Sequence, residues 1–271
     1  MFACVKNRFS RQLVLALCCT VVAGFTALSA QASDLATIEQ RGTLRVAVPQ
    51  DFPPFGSVGT DLQPQGYDID MAHYLADQMG VDLKLVTVTS ANRIPFLQTD
   101  KVDLVISSLG KNPERAAVID FTEAYAPFFL GVFGTPAAAP VADAAGLAGK
   151  TIGVTRGSVE DMELSDLVPS DTTVQRFEDN ATTISAFLSG QVDYIATGNV
   201  VAAQIAERNT ERAPTMVLRI KNSPCYIGLA KGNEALKARV NALIEQAKQD
   251  GTLESMSQKW FHTALPDDLS S

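Results

Sequence analysis

Two stretches of this chain, ninety residues apart, carry nearly the same pattern. Asp100-Lys101-Val102-Asp103-Leu104-Val105-Ile106 runs into Ser107-Ser108-Leu109-Gly110. Gly190-Gln191-Val192-Asp193-Tyr194-Ile195-Ala196 runs into Thr197-Gly198-Asn199. Each follows a short helical segment and ends in small residues. Val102 to Ile106 is apolar apart from Asp103, as expected of a strand covered on both faces. Strand-like and helix-like segments alternate around both copies, which predicts α/β architecture with mostly parallel sheet in two similar halves. Ligands of open α/β sheets sit at the carboxyl ends of the strands, so two facing halves would form a cleft there.

The segments can be placed. Strands are predicted over residues 44–48, 83–88, 102–106, 128–133, 151–155, 173–177, 192–196, 216–220 and 226–230. Helices are predicted over 70–79, 94–98, 159–167, 181–188, 200–208 and 253–261. One more carries Leu236, Val240, Leu243, Ile244 and Ala247 on a single face. Gly80 and Gly251 end helices.

The first 32 residues are different material. Lys6, Arg8 and Arg11 precede an apolar run from about Leu13 to Leu28, and Ala30-Gln31-Ala32 follows. This order predicts a secretory signal peptide, residues 1–32, cleaved after Ala32. The run is short for a ~20-residue membrane span, and Leu17 before Cys18 is a poor lipoprotein signal. The exported chain is then expected in the periplasm. The 271 residues carry 22 basic and 30 acidic side chains, a net charge of −8. The leader holds three of the basic residues and no acidic one, so the remainder stands at −11. So acidic a chain is a poor partner for nucleic acid. Cys4, Cys18 and Cys19 leave with the leader, and Cys225 alone cannot form an intrachain disulfide. His73 and His262, the two histidines, have no metal-ligand partner at useful spacing, so neither metal nor cofactor is expected.

Several fragments stand in a telling order: Gly42-Thr43-Leu44-Arg45-Val46, Pro53-Pro54-Phe55, Gly66-Tyr67-Asp68-Ile69-Asp70, Asn92-Arg93-Ile94-Pro95, Lys101-Val102-Asp103 and Pro113-Glu114-Arg115. Asp120-Phe121-Thr122, Gly149-Lys150-Thr151-Ile152-Gly153-Val154 with Gly157-Ser158, Gly190-Gln191-Val192-Asp193, Gly251-Thr252-Leu253 and Lys259-Trp260-Phe261 continue it. From about Leu44 to Phe261 the chain resembles the type 3 family of extracellular solute-binding proteins, the periplasmic polar amino-acid receptors of ABC importers. The resemblance implies a two-lobed periplasmic-binding-protein fold of type II, with two mixed, mostly parallel sheets and two crossover strands. Lobe one would span 34–125 and return over 226–266, and lobe two would span 126–225. It implies a monomeric receptor, not an enzyme, that closes on an amino acid or related small carboxylate and delivers it to an inner-membrane ABC permease.

The resemblance also implies ligand contacts. Arg115 matches the arginine that grips the ligand carboxylate, for which a guanidinium offers paired planar donors. Ser108 and Gly110, with Ser107 beside them, match a contacting loop. Phe52 matches a stacking aromatic, while Phe55 is expected in the core. Gly157 and Ser158 open a lobe-two helix whose backbone N–H groups favour anions. Asp51 reaches the pocket or caps a turn, and Arg156 lines the pocket or points to solvent. Asn92-Arg93 recurs among relatives, its arginine expected to be structural. One position departs from the pattern. Gly198 stands where most amino-acid receptors of the family have an aspartate that pairs with the ligand ammonium. Asn199 or Asp161 takes over that role, or the ligand carries no ammonium. The competing reading is a cyclohexadienyl dehydratase-like enzyme using the same cleft, with Asp51, Glu160 or Asp161 as general acid.

Overall fold

The computed structural model describes residues 34–270. The expected signal peptide, residues 1–32, lies outside them. Along the chain run α1 (Leu35–Arg41), β1 (Thr43–Val48), β2 (Ser57–Val58), β3 (Pro64–Gln65), α2 (Tyr67–Met79), β4 (Asp82–Thr87), α3 (Arg93–Gln98), β5 (Leu104–Gly110), α4 (Pro113–Val118) and β6 (Ile119–Ala126). Then follow β7 (Phe129–Gly134), β8 (Thr151–Thr155), α5 (Val159–Leu167), β9 (Thr173–Phe177), α6 (Asn180–Leu188), β10 (Tyr194–Gly198), α7 (Asn199–Arg208) and β11 (Thr215–Asn222). The return segment contains β12 (Cys225–Ala230), α8 (Glu234–Gln249) and α9 (Thr252–Phe261). Among the described residues no helix is long and apolar enough to cross a membrane.

Two five-stranded sheets result, ordered β4-β1-β5-β12-β6 and β11-β7-β10-β8-β9. In each, four strands share one direction and a single strand, β12 or β7, runs against them. The reversed strand is the one the chain enters directly after crossing from the other sheet. The crossings lie at Pro127-Phe128 and Ser223-Pro224, and the Ser223 backbone N–H donates to Phe128 O at 3.0 Å. With Cys225 paired to Ala126 and Asn222 to Phe129, the crossings form one ribbon between the lobes.

The repeated Val-Asp explains itself locally. Asp103 accepts from the Arg45 backbone N–H at 2.8 Å, and Asp193 accepts from that of Thr151 at 3.0 Å. In each lobe the aspartate pins the neighbouring strand, and Asp103 also pairs with Arg41 and Arg45. Helix starts follow side-chain capping chemistry: Asn112 caps α4, Ser158 α5, Asp179 α6 and Asn233 α8. The largest core packs the predicted face of α8 with α2, Phe55, Tyr67 and Phe261 in the first lobe. Tyr67 and Phe261 stack with centroids 4.6 Å apart. Cys225 is fully buried in this core.

Candidate functional site

The carboxyl ends of β5 and β10 face each other across a narrow, nearly closed cavity with about 10 Å³ of free space. Its walls include Phe52, Ser90, Arg93 and Ser108 from the first lobe and Phe128 from the crossing. Ser158, Glu160, Asn180, Thr183 and the Ile195–Thr197 strand end come from the second lobe. Of the expected ligand residues, Phe52, Ser108 and Ser158 line this space, whereas Arg115, Gly110, Gly157, Ser107 and Asn199 do not.

Ser108 has a left-handed backbone, φ +41, unusual for a side chain bearing a Cβ. Asp68 supports it. This fully buried carboxyl accepts from the Ser108 N–H at 2.8 Å and from the Tyr125 hydroxyl at 2.5 Å. Burial raises its pKa to about 7, against the lowering effect of those hydrogen bonds and of Arg93.

Arg115 is 5% exposed. One guanidinium nitrogen donates to Gly110 O in its own lobe at 2.7 Å, and the other donates to Gly157 O across the cleft at 2.9 Å. Burial, then the neighbouring Arg93 charge, lowers its pKa to about 10, so it stays charged at neutral pH. Arg93 is 4% exposed and sits on the cavity wall. Its Nε donates to the Ser107 hydroxyl at 3.0 Å. Ser107 therefore aims a guanidinium, and Arg93, expected to be structural, faces the space a ligand would fill. Burial lowers its pKa, while the charges of Glu160, Asp68 and Asp51 oppose that shift.

Asp51 does not line the cavity. Its carboxylate accepts from the backbone N–H of Asn180 at 2.8 Å and of Ala181 at 3.2 Å, and from Asn180 Nδ2 at 3.0 Å. It thus caps a second-lobe helix from the first lobe, with favourable charge against the helix dipole. Gly157, at φ +73, completes the closure. A Cβ there would lie 3.0 Å from Ala91 Cα of the other lobe. Arg156 points outward and pairs with Glu178.

At Gly198 the structure shows why no aspartate stands there. A Cβ would fall 1.7 Å from Phe128 Cζ and 2.0 Å from Cε2. The aromatic ring occupies that room. Neither substitute is disposed to replace the lost carboxylate. Asn199 Oδ1 accepts from the Phe129 N–H at 3.0 Å, and Asp161 is engaged by Arg176 Nε at 2.7 Å and the Gly157 N–H at 3.1 Å. Glu160, by contrast, is 5% exposed and on the cavity wall. Burial raises its pKa, against the effect of its own backbone N–H, the Ser158 side chain and the charges of Arg93 and Arg115. Among the described residues no group of three or more side chains is arranged to hold a metal.

Comparison with known proteins agrees with this architecture. Residues 44–263 match the bacterial extracellular solute-binding proteins, family 3, and the chain belongs to that family. The L-cystine-binding protein of Escherichia coli is 27% identical over 245 residues, which cover 89% of this chain and 91% of that protein. The ABC transporter glutamine-binding protein of Bacillus subtilis is 28% identical, covering 84% of each. Among solved structures, an ancestral amino acid-binding protein, a precursor of cyclohexadienyl dehydratase, superposes with a TM-score of 0.77. It is 31% identical and covers 84% of this chain and 99% of that one.

Proposed function

We propose that this protein is a periplasmic receptor that closes on an amino acid or related small carboxylate and presents it, as a monomer, to an ABC permease. One observation carries the reading: two buried guanidinia, Arg93 and Arg115, stand at a cleft whose two walls are tied across it by Arg115 and Asp51. Acidic groups lie near both guanidinia, but among the described residues none forms an ion pair with either, so a ligand carboxylate entering the cleft would give them a direct anionic partner. The amino-acid-binding relatives support the ligand class. Ligand contacts are assigned to Phe52, Ser108, Ser158 and Arg93, with Ser107, Gly110, Gly157 and Arg115 shaping and closing the site. Ligand binding stabilises the closed form through contacts the open form lacks.

Calorimetry of the ligand-stripped protein against amino acids and organic acids tests this. Saturable binding of at least one carboxylate is expected, and silence across the panel would sink the proposal. The enzyme reading would place Glu160 as the acid on the cavity wall. Incubation with prephenate and arogenate is expected to give no aromatic product.

A further inference from the structure

The cleft contains one more charge than a carboxylate receptor needs. Among the described residues, the titratable side chains on the cavity wall are Arg93 from the first lobe and Glu160 from the second. Both are more than nine-tenths buried, at 4% and 5% exposure. Each feels the other's charge, yet no ion pair within 4 Å joins them. The other acidic groups nearby are committed. Asp51 caps α6, Asp161 holds Arg176 and the Gly157 N–H, and Asp68 holds Ser108 and Tyr125. Position 198 is closed to a carboxylate by the Phe128 ring. Glu160 has the Ser158 side chain and the more distant charges of Arg93 and Arg115 beside it, but a buried carboxylate without a direct cationic contact is costly, and a cation arriving with the ligand would supply one.

We infer that Glu160 binds the ligand ammonium, opposite Arg93 and in place of the aspartate missing at 198. The ligand is then an α-amino acid in its zwitterionic form with an uncharged side chain. The argument has two parts. A zwitterionic α-amino acid carries both charges on one carbon, which suits a small cavity lined by one guanidinium from the first lobe and one carboxylate from the second. The remaining walls mix apolar side chains such as Phe52, Phe128 and Ile195 with uncharged polar ones, the serine and threonine hydroxyls and the Asn180 amide. They offer no second carboxylate for a basic side chain and no second cation on the wall for an acidic one. This rests on the receptor reading above and narrows it.

The test uses the ligand-stripped protein from residue 33 onward, titrated with the common L-amino acids and with the 2-oxo and 2-hydroxy acids matching the tightest of them. The expected winner is a neutral amino acid, with its 2-oxo and 2-hydroxy analogues at least thirtyfold weaker. In Glu160→Gln the amino acid loses at least tenfold, and its advantage over the 2-oxo acid collapses. An unchanged advantage in Glu160→Gln overturns the assignment while leaving the receptor intact. An oxo or hydroxy acid binding as tightly as the amino acid does the same, as does preference for arginine or glutamate. If Glu160→Gln fails to fold, the analogue comparison on the unaltered protein decides alone. No binding by any carboxylate overturns the receptor reading itself.

Discussion

Replacing Arg115 by alanine removes two hydrogen bonds of different kinds. The bond to Gly110 O lies within the first lobe and survives opening of the cleft. The bond to Gly157 O spans the cleft at 2.9 Å and exists only when the lobes are shut. A hydrogen bond from a charged group contributes about 1.5–3 kcal/mol, and ~1.4 kcal/mol is a factor of ten. Because the ligand is held by the closed form, its affinity follows the closed-to-open ratio. Arg115→Ala is therefore expected to weaken binding roughly ten- to 150-fold by calorimetry. Small-angle scattering should show a larger fraction of open molecules at a given ligand concentration. The lost Gly110 bond should also lower Tm without ligand, which separates the two contributions. Arg115→Lys keeps the charge but not the planar fork, and should fall between. If the arginine also touches the ligand, as the resemblance implies, the loss should be smaller for an amino acid amide than for the amino acid. Affinity within threefold of the unaltered protein, with unchanged scattering, would refute the reasoning.

Three further outcomes follow from the geometry. Gly198→Asp drives a side chain into the Phe128 ring, and overpacking of this kind costs about 1–3 kcal/mol. A Tm lower by roughly 2–10 °C is expected, relieved when Phe128→Ala is added; an unchanged Tm in the single variant would contradict the clash. Asp68 has a folded pKa of about 7, above its unfolded value of ~3.9. Its contribution to stability is therefore fully present below ~4 and lost as pH rises towards 7. Urea unfolding should show the unaltered protein losing stability relative to Asp68→Asn between pH 4.5 and 7.5, and the opposite slope would refute the assignment. Ser223 Oγ is buried at the second crossing without a hydrogen-bond partner. Ser223→Ala should leave Tm unchanged or raised, since a buried unsatisfied hydroxyl is removed; a marked fall would show a partner unaccounted for.

Much of the architecture was legible because each lobe repeats one period. The alternation of strand-like and helix-like segments located β8, α5 and β9 to the residue. Strand β6 escaped notice because Ile119 follows α4 with no glycine or proline between them. Its inward positions alternate with Asp120 and Glu123 in no clean pattern. Phe128 read as the first residue of a strand, but it lies in the crossing, where the chain turns its ring into the cleft. Asn199 follows the strand end in sequence, yet it begins α7, which rotates it away from the cavity towards Phe129. Arg93 was indistinguishable from a structural arginine until Ser107, fourteen residues later, was seen to orient it. Burial of a charge is a property of the assembled lobes, and no local pattern announces it.

The position of β12 carries a consequence for synthesis. It sits between β5 and β6, but it is made only after the whole of the second sheet. A chain emerging from its amino terminus thus holds every strand of the second lobe while the first still has two unpaired edges. Until β12 arrives, β6 has no neighbour in its sheet and β5 lacks one of its two. The order of assembly is set by covalent sequence: the inserted lobe is finished first, and the lobe begun earliest is sealed last. A circular permutant beginning at Cys225 should abolish that delay, and pulse proteolysis during synthesis would reveal its earlier protection.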